Sequence, residues 1–257
     1  MGKLVALLSV TVAAVVLAAT ATASHSWGNY HWARTSNPFT LQLGDNVSAT
    51  WDSHLTTASS DWSQSSVLDT AVAAGQAKGK NCRPSAGRVE VCSGRYGNTG
   101  WLGIAQIWAS GSHITQGSVR VNDTYHDAPP YNTDPWRRFV MCQEVGHEFG
   151  LDHQDENSSN ANLGSCMDYT NDPDGGSGGA SSSDPSNEHP NAHDFDQLES
   201  IYAHLDSTTT IASAPADLPG NAPPFSQARR ANGSVYMDDL GNGNRLITFV
   251  LWTPFGE

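Results

Sequence analysis

The residues best suited to chemistry lie in one run, Gln143-Glu144-Val145-Gly146-His147-Glu148-Phe149-Gly150-Leu151-Asp152-His153. On a helix, positions 143 and 147 are one turn apart and share a face, and Glu144, displaced by about 100°, borders the same site. Gly150 permits a left-handed exit that ends the helix and turns the chain back. His153 can then face the point that residues 143 and 147 face. Three converging side chains beside a carboxylate, with a coordination position left open, are the layout of a catalytic zinc centre in which Glu acts as general base on activated water. Read as ordinary surface histidines, His147 and His153 would owe their spacing from each other, from Gly150 and from Glu144 to coincidence.

The run resembles the signature of the metzincin metalloproteases, His-Glu-x-x-His-x-x-Gly-x-x-His followed by a Met-turn. Ser165-Cys166-Met167-Asp168-Tyr169 is similar to that Met-turn, in the Ser-x-Met-x-Tyr form of the astacin and serralysin branches, where the Tyr ligates zinc or holds the transition state. The resemblance is dense over residues 135–169 and looser over 39–205. It implies an α+β metzincin-like zinc protease fold, with a twisted, mainly parallel sheet, an active-site helix, the Met-turn and a C-terminal helix. It further implies Zn2+ held by Gln143, His147 and His153, catalytic roles for Glu144 and Tyr169, Met167 beneath the metal, and a polypeptide substrate cleaved internally. Gln154 follows the third ligand position, where each branch carries its own hallmark. The resemblance therefore reaches no further than a matrixin-like or secreted bacterial-type group.

Gln143 stands where the signature has His. Its neutral carbonyl oxygen suits hard cations and is a weaker zinc ligand than imidazole. Tyr169 and His126 are candidates to complete the set. Two readings follow: a zinc metalloendopeptidase that uses Gln143, or a catalytically impaired extracellular protein- or peptide-binding module that keeps the cleft and holds a strand by edge addition. Restoring His at 143 separates them. Tyr169 reads equally as ligand or as an amphipathic wall. His189 and His193 are four apart, but Pro190 interrupts one helical face, and His193-Asp194 reads as a helix cap. Asp152, Asp155, Glu156, Asp168, Asp172 and Asp174 make Ca2+ a further candidate, although their spacing fits no EF-hand and solvated surface acids are the plainer reading.

The elements that must position these residues are partly legible. Phe39-Thr40-Leu41-Gln42-Leu43 alternates as a half-buried strand, and Trp101–Trp108 and Val119–Val121 read as strands around a turn at 110–112. Leu55, Ala58, Trp62 and Leu68 mark a surface helix and its exit. Asp134 as N-cap and Pro135 at the first position start the active-site helix. A short helix follows from Asp194, with Phe195, Leu198, Ile201, Tyr202 and Leu205 on one face. A hairpin is expected from Ser234–Met237 and Leu246–Trp252 around Gly241-Asn242-Gly243-Asn244, and it must pack on the main domain or be a remnant of an appended unit.

The chain has 257 residues and a formal net charge of −13, with no Lys/Arg-rich run, which argues against nucleic-acid and anionic-membrane partners. Lys3 followed by an apolar stretch from Leu4 to Ala19, and then Ala21-Thr22-Ala23, is the layout of a secretory signal peptide cut before Ser24. Four Cys in an exported chain read as two disulfides; of three pairings, position favours Cys82–Cys92 across a short turn-rich segment, leaving Cys142 with Cys166. That second bridge would tie the active-site helix to the Met-turn. The expected organisation is a signal peptide at 1–23, the catalytic-type domain at 24–206, a Pro/Ala/Thr-rich linker at 207–233 and the hairpin segment at 234–257. The expected product is a secreted extracellular monomer with no membrane attachment once the signal is removed.

Overall fold

The computed structural model describes residues 25–176, 183–212 and 233–255. The signal-peptide segment and most of the expected linker lie outside the described residues. The elements run β1 (His31–Trp32), β2 (Phe39–Asn46), α1 (Asp52–Trp62), β3 (Leu68–Ala74), a 3-10 turn (Gly79–Asn81), β4 (Ser85–Ala86), β5 (Val89–Gly94), β6 (Trp101–Ser110), β7 (His113–Asn122), α2 (Asp123–His126), α3 (Asp134–His147), α4 (Ala192–Ile201), β8 (Val235–Gly241) and β9 (Asn244–Trp252).

One mixed sheet in the order β3-β2-β5-β7-β6-β9-β8 carries the molecule, with β1 and β4 also paired to β7. From β3 to β7 the pairings are parallel, and from β7 through β6 and β9 to β8 they are antiparallel. The sheet is therefore parallel in one half only. The antiparallel half arises because β6 and β7 form a hairpin and because the C-terminal hairpin joins the edge of β6. Covering of the faces shows in the sequence: β2 alternates buried and exposed residues up to Leu43, whereas β6 is buried almost throughout. A strand covered on both faces reads as a continuous apolar run.

Helix α3 lies across the sheet, and α1 packs beside it. Trp62, from the last turn of α1, donates its indole N–H to the Cys142 carbonyl at 3.1 Å. The cap of α3 is Thr133, whose hydroxyl accepts from Trp136 N–H, with Asp134 and Pro135 following as its first two residues. The shift by one residue from Asp134 is the usual competition between adjacent capping side chains. Likewise α4 is capped by Asn191, in a capping box with Asp194, rather than by His193-Asp194. Both disulfides are formed, Cys82–Cys92 and Cys142–Cys166. Among the described residues, no helix is long and apolar enough to cross a membrane.

Candidate active site

Helix α3 presents Gln143 and His147 from successive turns and ends at His147, where Glu148 forms the C-cap. Gly150 then takes a φ of +94°, and the carbonyl of Tyr30 lies 2.3 Å from where a Cβ would be, so glycine is required on two counts. The reversal brings His153 back onto His147, with ring centroids 4.5 Å apart and edge to face.

Each imidazole is oriented through one nitrogen. His147 donates from Nδ1 to the Leu151 carbonyl at 2.9 Å, and His153 Nδ1 is 3.0 Å from Glu156 Oε1. These bonds set the tautomer and leave Nε2 as the lone-pair nitrogen, which is how metal-binding histidines are held. His153 Nε2 is buried and has no hydrogen-bond partner. Burial pushes the His147 pKa well below its ordinary value, and the nearby His153 adds to the shift, so the neutral ring is favoured.

Gln143 is fully buried; its amide donates to the Cys166 carbonyl at 2.9 Å, while its Oε1 is buried and unbonded. Helix and Met-turn are thereby joined twice, by this hydrogen bond and by the Cys142–Cys166 bridge. Met167 is buried beneath the helix, with its sulfur 2.6 Å from the position a Gly146 Cβ would take. The turn is further locked to α4: Ser165 Oγ donates to Asp194 Oδ2 at 2.7 Å and accepts from Met167 N–H at 2.9 Å.

Glu144 faces the sheet. Its carboxylate occupies the gap left by Gly103 on β6, is fully buried, and has neither oxygen bonded. Burial, reinforced by the neighbouring Glu148 carboxyl, raises its pKa well above the usual carboxylate range. Glu148 sits one turn on and fills the matching gap at Gly117 of β7, also with a pKa raised by burial. This second buried acid went unassigned in the sequence; the signal was its i, i+4 spacing from Glu144 together with glycines inside two strands.

Tyr169 closes one side, with its ring 4.6 Å from that of His153 and its hydroxyl donating to the Val250 carbonyl at 2.9 Å. Burial, with the charge of Glu156 nearby, raises its pKa well above 10. Phe249 of β9 lies flat on His147, with centroids 4.1 Å apart and an interplanar angle of 7°. The C-terminal hairpin is thus both an extension of the sheet and a cover over the His147–His153 pair.

Other candidates lie apart. His126 is buried with its ring edge-on to Trp51 at 4.8 Å, and burial lowers its pKa to about 3. His189 pairs with Asp61 at 2.6 Å, whereas His193 stacks on His25 and meets Gln154. They form no joint site. Gln154, which follows the third ligand position, bridges the Met167 carbonyl to Asp194 and His193. Of the acids weighed for Ca2+, Asp168 accepts from Leu163 N–H and Asn187, and its pKa rises to about 6, mainly through burial. Among the described residues, these acids form no group of three that converges on one point.

The donor types fit zinc: two imidazoles, each engaged through Nδ1, and an unbonded amide oxygen, with the unbonded Glu144 carboxyl carried one residue along the helix from Gln143. The chain matches no family model and no curated protein. Among solved structures it is similar to high choriolytic enzyme 1, a hatching-enzyme zinc-protease of the medaka fish Oryzias latipes, at 12% identity and a TM-score of 0.37, over 69% of this chain and 96% of that one. A likeness of that size carries neither family nor activity across.

Proposed function

We propose that the chain is a secreted metal-dependent peptidase of the metzincin type whose cleft is filled at rest by its own C-terminal strand. The observation that carries the reading is the pairing of His147 and His153, each with Nδ1 engaged, on a helix-and-turn that also carries the buried, unpartnered Glu144 carboxyl. His147, His153 and the Gln143 carbonyl oxygen would hold zinc, which when bound supplies a Lewis acid for a peptide carbonyl and for water.

The protein's own residues do the rest. Glu144, with its pKa raised by burial, is suited to take a proton from water and return it to the leaving amine. The Tyr169 hydroxyl, once released from the Val250 carbonyl, is placed to donate to a developing oxyanion. Met167 and the Cys142–Cys166 bridge fix the floor, so the helix and the Met-turn move as one body. The β6 edge now paired with β9 would accept an extended peptide in the same antiparallel register.

The test is hydrolysis of an unstructured polypeptide by the zinc-loaded chain. Cleavage that a chelator stops and Glu144→Gln abolishes supports the reading; chelator-sensitive cleavage that survives Glu144→Gln refutes the assigned base. The second reading, a binding module without catalysis, is favoured by Gln143 and by the ring of Phe249 on His147. Under it, parent and Glu144→Gln chains are equally inert, and Gln143→His creates activity.

A further inference from the structure

Three histidines and one aspartate from distant parts of the chain meet at the opposite end of β7 from α2. His31 comes from β1, His113 opens β7, and His204 and Asp206 follow α4. Their ligand atoms face one another. Asp206 Oδ1 lies 3.2 Å from His113 Nε2, 3.5 Å from His31 Nε2 and 3.7 Å from His204 Nε2. His204 Nε2 lies 3.1 Å from His31 Nε2.

A proton inventory shows what this arrangement lacks. His31 Nδ1 is 2.7 Å from the Asn29 carbonyl, which can only accept, so that nitrogen carries the hydrogen. In the neutral ring, Nε2 is then a lone pair aimed at a second ring nitrogen and a carboxylate oxygen. The His31 ring is buried. Asp206 is held through its other oxygen: Oδ2 accepts from Arg34 Nη1 at 2.8 Å and from Arg34 N–H at 3.2 Å. Its own N–H donates to the Arg34 carbonyl at 2.9 Å. Oδ1 is thereby fixed toward the three imidazoles.

We infer that His31, His113, His204 and Asp206 form a second zinc site, structural in role and sharing no residue with the His147–His153 pair. Zinc bound tetrahedrally at about 2.0–2.1 Å from nitrogen and oxygen ligands sets neighbouring donors about 3.3 Å apart. The four separations given above bracket that value. His31, His113 and Asp206, whose ligand atoms all lie within 4.8 Å of one another, supply the core of the site; the half-exposed His204 lies outside that group and would swing in to supply the fourth donor. Three elements carry the supporting contacts that orient metal ligands: the Asn29 carbonyl on His31, Arg34 on Asp206, and the β1–β7 pairing that sets His31 opposite His113. The ion would pin the entering chain, the β6–β7 turn and the segment after α4 to one another.

The test separates this site from the candidate active site by working in the full chain with His147→Ala and His153→Ala already made. After zinc loading and dialysis at neutral pH, that chain should retain one zinc, and Co2+ in its place should give the intense visible absorption of a tetrahedral ion. Adding His113→Ala and His204→Ala should remove the retained zinc and abolish the rise in Tm that zinc gives. The single His204→Ala variant, at a half-exposed position that the fold does not need, should bind zinc at least about tenfold more weakly, the scale on which even supporting contacts act. No retained zinc in the first chain, or equal retention after His113 and His204 are replaced, would overturn the site.

Discussion

A carboxylate with both oxygens buried and unbonded costs stability, because it gives up water without receiving hydrogen bonds in return. Glu144 is in that condition against Gly103. Replacing it by Gln removes a chargeable group from that gap, so the metal-free Glu144→Gln chain should melt higher at neutral pH, by on the order of 1 kcal/mol, while losing any cleavage. A variant that melts lower would mean that Glu144 is stabilised in a way its surroundings do not show. His126 offers a second check. Burial holds its folded pKa at about 3 against 6.5 in the open chain, so it contributes fully to stability above pH 6.5 and loses that contribution as pH falls toward 3. Relative to a His126→Gln chain, the parent should lose about 2–3 kcal/mol between pH 6.5 and 4.5, read from denaturant midpoints at each pH. Parallel curves for the two chains would place His126 in water.

At the scale of elements, helix α3 packs because glycines in three places make room for it. Gly146 admits Met167 and Trp62, and Gly103 and Gly117 admit Glu144 and Glu148. Gly146→Ala should cost about 1–3 kcal/mol as an overpacked contact, and it should weaken zinc binding as well, because the displaced Met167 belongs to the turn bonded to Gln143. Loss of stability with zinc affinity unchanged would show that the Met-turn does not position the site. These elements also mark what the sequence could disclose. Gln143, His147, Gly150 and His153 follow one local rule, helical spacing and then a left-handed exit, and that rule was readable. The destination of Glu144 was not, because it depends on Gly103, far away in sequence and opposite only once β6 docks on α3. Asp194 is similar. Its place in a capping box is local, but its bonds to Ser165, Gln154 and His25 join segments that no spacing connects.

For the molecule as a whole, the C-terminal hairpin both extends the sheet along β6 and covers His147 with Phe249. The turn at Gly241–Asn244 was legible in the residues, whereas its pairing with β6 was not, because strand partners are chosen by buried surface across the whole fold. Phe249→Ala removes the ring on His147. It should lower stability by about 3–5 kcal/mol and at the same time raise the rate of cleavage below the melting temperature. Lower stability with no gain in rate would make the hairpin a structural strand alone.

The central claim, that His147 and His153 hold a metal beside Glu144, is tested most directly by anomalous X-ray scattering from zinc-loaded crystals, with data on either side of the zinc absorption edge. The account expects an anomalous peak within bonding distance of Nε2 of both His147 and His153. Zinc-loaded crystals with well-ordered side chains and no peak between those two rings would contradict it.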